Sequence, residues 1–229
     1  MDLYDAMRTT PAVREFTDDP LPDEVLHRIL DHARFAPSGG NRQGTRIVVV
    51  RDAATRARLA ELNEPAVRRY VAQIGAGQSP WNPLEPPLPT PEEIAATPVP
   101  ESFTRPVLTA AAVLVVLVDL DLVAATDQHL DRVGLVSGAS VYPLVWNVLL
   151  AARAEGFGGT ITTMAVAEEP AVLELLGVPG HYALAAVVPL GRPVREVTRL
   201  RRVEVGEFVT RERFDGEPFL TGALRRDRG

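Results

Sequence analysis

Three apolar runs, set between stretches of helical periodicity, constrain this chain more than any other feature. Ile47–Val50 and Tyr182–Val188 read as buried strands. The longest apolar stretch, Val107 to Val118, holds another from about Ala111, ending at Asp119. Between these runs, Val25, Leu26, Ile29, Leu30 and Ala33 recur at helical spacing after a Pro22-Asp23 start. Asp52 is placed to cap a further helix, expected to run to about Leu59. The most regular stripe is Val141, Leu144, Val145, Val148, Leu149 and Ala152, an apolar face for the core or for a partner subunit, with Gly156 as its stop. Ala171 to Leu176 predicts a short helix closed by Gly177. Helices outnumber strands and the strands are scattered among them, so the predicted class is α+β: a mixed β-sheet core flanked by helices. Neither a G-x-G-x-x-G turn nor a P-loop follows the first strand, which argues against a doubly wound nucleotide-binding sheet.

Composition narrows the chemistry. The chain has 229 residues, read as a single domain over 1–229, with 46% hydrophobic residues and enough length to bury a core without covalent staples. A net charge of −6 gives no reason to expect nucleic acid or an anionic membrane as a partner. There is no cysteine, which excludes thiol nucleophiles, disulfides and cysteine-held metals. All 24 basic residues are arginine, which excludes Schiff-base lysines and leaves arginine and backbone amides as the means of holding a phosphate. His27 and His32 are not three or four apart, so they do not share a helix face and no metal site is expected. Val107–Val118 is far short of the ~20 residues a membrane span needs. The N-terminus lacks the pattern of a secretion signal, so a cytoplasmic protein is expected.

Nine of the twenty prolines fall between Ser79 and Val107, and no regular element is expected at that density. The stretch reads equally as a surface loop or as a lid over a pocket. From Gly191 to Gly229 the chain is rich in arginine and acid with little apolar periodicity, the character of an arm lying on another subunit.

Two glycine-bearing motifs stand out: Ala36-Pro37-Ser38-Gly39-Gly40-Asn41-Arg42-Gln43 and Glu155-Gly156-Phe157-Gly158-Gly159-Thr160-Ile161-Thr162-Thr163. On spacing alone the first serves as a plain turn or as a place where backbone approaches a ligand closely; the second admits the same two readings, and taken by itself it reads better as a turn into the next element. Arginines lie at both ends of the chain: Arg8 and Arg14, then Arg199 and Arg201, whose spacing sets them on one side of an extended segment. Small residues, amide donors and arginines suit a flat, polar, phosphorylated cofactor, and flavin mononucleotide (FMN) fits that description. No serine sits in a G-x-S-x-G elbow, and Glu92-Glu93 and Glu168-Glu169 read as helix first turns, so hydrolysis is not indicated.

Four blocks, in order, resemble the nitroreductase family. They are Met7–Pro22; Ala36–Gln43; Ser140–Pro143 with Asn147–Gly158; and Pro189–Pro193 through Arg199–Arg202. The resemblance implies a homodimeric α-β sandwich with a long central helix, and an oxidoreductase that passes hydride from NADH or NADPH through the flavin N5 to a small organic acceptor by a ping-pong mechanism. By the same resemblance, Arg8, Thr10, Arg14, Arg199 and Arg201 would hold the phosphate and ribityl chain. Pro37, Ser38, Gly39 and Asn41 would lie against the ring, the first three from the neighbouring subunit, and amides around Thr162 and Thr163 would face N5.

The chain departs from the family pattern at three places: Thr10-Pro11-Ala12 where an Arg-Arg group is usual, Gly44-Thr45 after Gln43, which is expected to open space near the ring, and Trp146, expected in the core or at the pocket. These leave two further readings: a specialised flavin enzyme of the same fold (flavin-fragmenting or reductively dehalogenating), and a flavin-binding protein without turnover.

Overall fold

The computed structural model describes residues 1–220. The chain forms two compact units that divide after Val197.

The first unit holds four strands, β1 (Thr45–Val50), β2 (Ala112–Asp119), β3 (Gly158–Gly159) and β4 (Tyr182–Gly191), in the spatial order β1-β2-β4-β3. Its helices are α1 (Leu3–Thr9), α2 (Asp23–Ala33), α3 (Ala53–Gly75), α4 (Pro91–Ala96), α5 (Glu101–Thr109), α6 (Tyr142–Ala154) and α7 (Glu169–Leu176). The expected α+β class holds. Within it the sheet is antiparallel at every described pairing rather than mixed. The register gives the reason: Val113 lies beside Val50, so the helical connection brings the chain back to the end of the sheet it left.

β2 is buried from Ala112 to Val118, and the two-residue period of a strand divides its side chains between two cores. Ala112, Leu114, Val116 and Val118 pack with Leu26, Ile29 and Ala33 of α2 and with Val145, Val148, Leu149 and Ala152 of α6. Val113, Val115 and Leu117 pack with Leu59 and Leu62 of α3, Val107 of α5 and Val172 of α7. The result is a sheet between two helical layers. β4 obeys the alternation only in part. Leu184 belongs to the second core and Ala186 to the first, although they are two residues apart. A register shift opposite Val116/Leu117 skips Ala185, and that bulge reverses the facing of everything before it.

Two expectations are corrected. The helix capped by Asp52 does not end near Leu59 but continues to Gly75, through Pro65. An internal proline costs roughly 3 kcal/mol, and burial of Leu62, Ala66 and Val67 around it offsets that. The proline-rich stretch is also not devoid of regular elements, since it contains α4 and most of α5. Pro91 opens α4, where a missing N–H costs nothing, behind a Thr90–Glu93 capping box. Pro106 sits inside α5 and is itself buried.

The second unit contains α8 (Val205–Phe208) and an antiparallel bridge between Thr210 and Pro218. No helix among the described residues is long and apolar enough to cross a membrane.

Candidate functional site

The site is built where the N-terminal segment joins the far edge of the sheet. Val13 N–H donates to the Gly159 carbonyl at 2.8 Å, Thr17 N–H to Arg192 at 2.9 Å, and Val194 N–H to Glu15 at 3.1 Å. These bonds carry Arg14 to the mouth of a cleft of about 180 Å³ shared with Tyr70, Ser102 and Thr160–Met164. Arg14 is exposed, and no carboxylate pairs with it among the described residues. Thr162 exchanges both backbone hydrogen bonds with Val187, at 2.9 and 2.8 Å, so its amide is already engaged. The Thr163 N–H has no acceptor among the described residues, which narrows the available donors at this corner.

The close fit of β3 has a steric cause. A Cβ on Gly159 would meet the Pro189 carbonyl at 2.4 Å, and one on Gly158 would meet Val13 at 2.7 Å. These glycines admit the Val13 side chain and the Pro189 carbonyl of the protein itself.

A larger hollow, about 470 Å³, adjoins the cleft and shares Tyr70, Thr163 and Met164 with it; Ala66, Pro80 and Trp81 complete its apolar wall. A cation and an amide donor thus stand beside an apolar hollow.

The other expected residues lie elsewhere. Thr10 is buried and its hydroxyl donates to the Ala6 carbonyl at 2.7 Å, so it closes α1 and has no proton to offer a phosphate. Arg8 is exposed on α1, 5.9 Å from the Tyr4 ring. Arg199 and Arg201 belong to the second unit, exposed on either side of half-buried Leu200, as an extended alternation demands.

Pro37, Ser38, Gly39 and Asn41 do not line the cleft; their loop is seated against the turn before α6. Gly39 N–H donates to Ser140 Oγ at 3.0 Å, and Ser38 Oγ accepts from Gln43 N–H at 3.0 Å. Gly40, Asn41 and Gln43 all have left-handed backbone (φ +60°, +53° and +52°), which for the latter two is a strained state of a kind concentrated at functional loops.

Gly44 opens no space. A Cβ there would meet Leu122 Cβ at 3.0 Å, because its carbonyl accepts from Asp119 N–H at 2.8 Å and draws that turn close. Trp146 is exposed on α6, neither in the core nor in the two concavities.

Sequence reasoning missed Asp127. Its buried carboxylate accepts from Leu135 N–H at 2.7 Å, Val136 N–H at 3.3 Å and Arg132 at 2.8 Å. Those donors pull its pKa down to about 2 and pin the loop that leads to Ser140. Asp119, Asp121 and His181 bring ligand atoms within 4.8 Å of one another at the junction of β2 and β4. No spacing in the sequence signals either arrangement.

A sheet between helical layers, with an arginine-edged cleft adjoining an apolar hollow, defines an α+β sandwich. The chain belongs to the nitroreductase family, whose profile matches residues 7–192. It is similar to NADH dehydrogenase of Thermus thermophilus, at 31% identity over 86% of this chain and 89% of that one. It is also similar to iodotyrosine deiodinase 1 of Rattus norvegicus, at 25% identity over 86% of this chain and 64% of that one. Among solved structures, NADPH:FMN oxidoreductase from Vibrio harveyi complexed with NAD+ has the same fold, with a TM-score of 0.66 at 20% identity over 98% of this chain and 81% of that one.

Proposed function

We propose that the protein is an FMN-dependent NAD(P)H oxidoreductase acting on small organic acceptors such as quinones or nitroaromatics, and that it works as a homodimer. The observation that carries this reading is the meeting, in one cleft beside an apolar hollow, of Arg14 and the Thr163 amide, neither of which has a partner among the described residues. The donor set fits the group: a guanidinium for a phosphate, an amide for an electron-rich ring edge, apolar walls for a flat ring. When bound, FMN supplies a two-electron redox centre that accepts hydride from NAD(P)H and returns it to an oxidant.

This chain's residues bind and orient. Arg14 would neutralise phosphate charge, with Arg8 as a further cation. Thr163 N–H would donate to the ring edge and favour the electron-rich state. Tyr70 and Met164 would exclude water from the reacting face.

One chain's cleft is smaller than the 300–1,000 Å³ or so typical of ligand pockets, and the loop Pro37–Asn41 does not line it. A second copy would bring that loop to the ring, with exposed Trp146 and Tyr142 of α6 in the shared interface.

The test is an absorbance spectrum of the purified protein, followed by anaerobic NADH and then NADPH. Flavin bands that bleach with either donor support the reading. Bound flavin that bleaches with neither favours a binding protein without turnover. Protein that takes up no FMN sinks both. Arg14→Ala is expected to weaken FMN binding about 10- to 100-fold, as loss of a charge-assisted contact does. Similarity to the deiodinase favours a second reading, reductive dehalogenation, which halide release from an iodophenol in the presence of reductant would reveal.

A further inference from the structure

The proline-rich segment after α3 is held by two buried glutamines, and what they hold is Trp81. Gln73 on α3 is fully buried, and Gln78 nearly so. Gln73 Nε2 donates to Gln78 Oε1 at 2.9 Å, while Gln73 Oε1 accepts from Trp81 N–H at 3.1 Å. Gln78 Nε2 donates to the Pro86 carbonyl at 2.7 Å, and Gln78 Oε1 also accepts from Leu88 N–H at 3.0 Å. The backbone partners settle both amide orientations: the N–H groups of Trp81 and Leu88 can meet only oxygen, and the Pro86 carbonyl only nitrogen. A buried polar network in which each amide nitrogen and oxygen has a partner favours one arrangement over others.

Prolines at 80, 83, 86 and 87 leave this segment few N–H groups with which to order itself. The clamp does that work from below. At Trp81 it imposes φ +56°, a conformation that costs a bulky residue on the order of 1–2 kcal/mol. The ring is further held by the Arg69 guanidinium, 4.0 Å from its centroid, and it lines the apolar hollow together with Met164 and Val166.

We propose that the Gln73–Gln78 clamp is the device that determines acceptor specificity, by fixing Trp81 as a rigid aromatic wall that favours flat two-ring acceptors over small single-ring ones. The proposal rests on the flavin lying in the adjoining cleft. A hollow of about 470 Å³ has room for a bicyclic ring, and contact with a fixed indole adds about 0.5–1.5 kcal/mol beyond burial. A freely moving tryptophan would lose part of that to ordering on binding.

The experiment compares kcat/KM for menadione with that for 1,4-benzoquinone, and uses a Trp146→Phe background in which Trp81 is the sole tryptophan. In that background menadione should quench Trp81 emission saturably, a readout that needs no turnover. Trp81→Gly keeps the strained backbone without penalty and should lower the menadione preference about three- to tenfold, with flavin content retained. Gln73→Leu should lower it similarly, shift Trp81 emission to the red, and add nothing when combined with Trp81→Gly. If Gln73→Leu does not fold, Leu88→Pro, which removes one donor at an exposed position, should shift emission in the same direction to a smaller extent. A preference unchanged in Trp81→Gly, or Trp81 emission indifferent to the clamp variants, overturns the proposal. Wild-type protein that binds no FMN defeats the flavin reading instead, and menadione quenching of Trp81 still decides whether the wall exists.

Discussion

Gly39-Gly40 and Gly158-Gly159 are the same dipeptide, one in a turn and one in the edge strand β3, and the structure uses them for opposite reasons. Gly158 and Gly159 are buried, and their missing side chains are replaced by Val13, Leu190 and the Pro189 carbonyl. Gly39 and Gly40 are exposed, with no atom closer than 3.4 Å to a would-be Cβ, and only Gly40 needs its glycine, for a backbone at φ +60°. One pair is required by packing, the other by conformation. Glycine in a motif therefore does not by itself say whether packing or conformation requires it.

The contrast can be broken by substitution. The largest effect is expected for Gly159→Ala, whose Cβ meets a carbonyl 2.4 Å away that belongs to the sheet and cannot yield. It should cost on the order of 3 kcal/mol in thermal or urea unfolding, while Gly39→Ala should stay within about 0.5 kcal/mol. Equal losses at the two sites would show that burial does not separate them. Gly40→Ala should cost about 1 kcal/mol through its left-handed backbone alone, and should weaken FMN uptake if the strained loop meets the ring.

Ser140→Ala comes next. It removes the acceptor for Gly39 N–H and should cost about 0.5–1 kcal/mol. Hydrogen exchange at Gly39 is the sharper measurement, since unchanged protection would mean that the loop does not depend on the turn before α6 for its seat. The last expected effect is on pH dependence. Asp127 has its pKa lowered from 3.8 to about 2, so its contribution is complete above the ordinary carboxyl range and is lost as pH falls from about 4 towards 2. Urea midpoints over that window should fall less steeply in Asp127→Asn than in the wild type. Identical slopes would remove Asp127 as the anchor of the loop before Ser140.

Much of the frame was legible because periodicity is local. The β2 run and the α6 stripe appeared at nearly their observed bounds, since one residue type repeats at the period of its own element. The α3 extension was hidden by Pro65, whose local penalty is outweighed by apolar contacts from elsewhere in the chain. The bulge at Ala185 was invisible because it exists only relative to a partner strand. At the site, Arg14 and Thr163 emerged from motif order. That the Thr162 amide is spent, that Thr10 serves α1, and that Gly44 is filled by Leu122 all depend on residues distant in the chain.

The amino-acid sequence by itself determined the α+β class, the family and the restriction of its cations to arginine, because composition, periodicity and motif order need no partner to be read. Tertiary structure alone decided which of two identical glycine pairs is closed by packing, which threonine amide is free, and that two glutamines under a run of prolines hold Trp81 in a conformation it would not adopt unaided. Those outcomes turn on which groups meet across the fold, and a hydrogen bond or a collision belongs to a pair of residues rather than to either one.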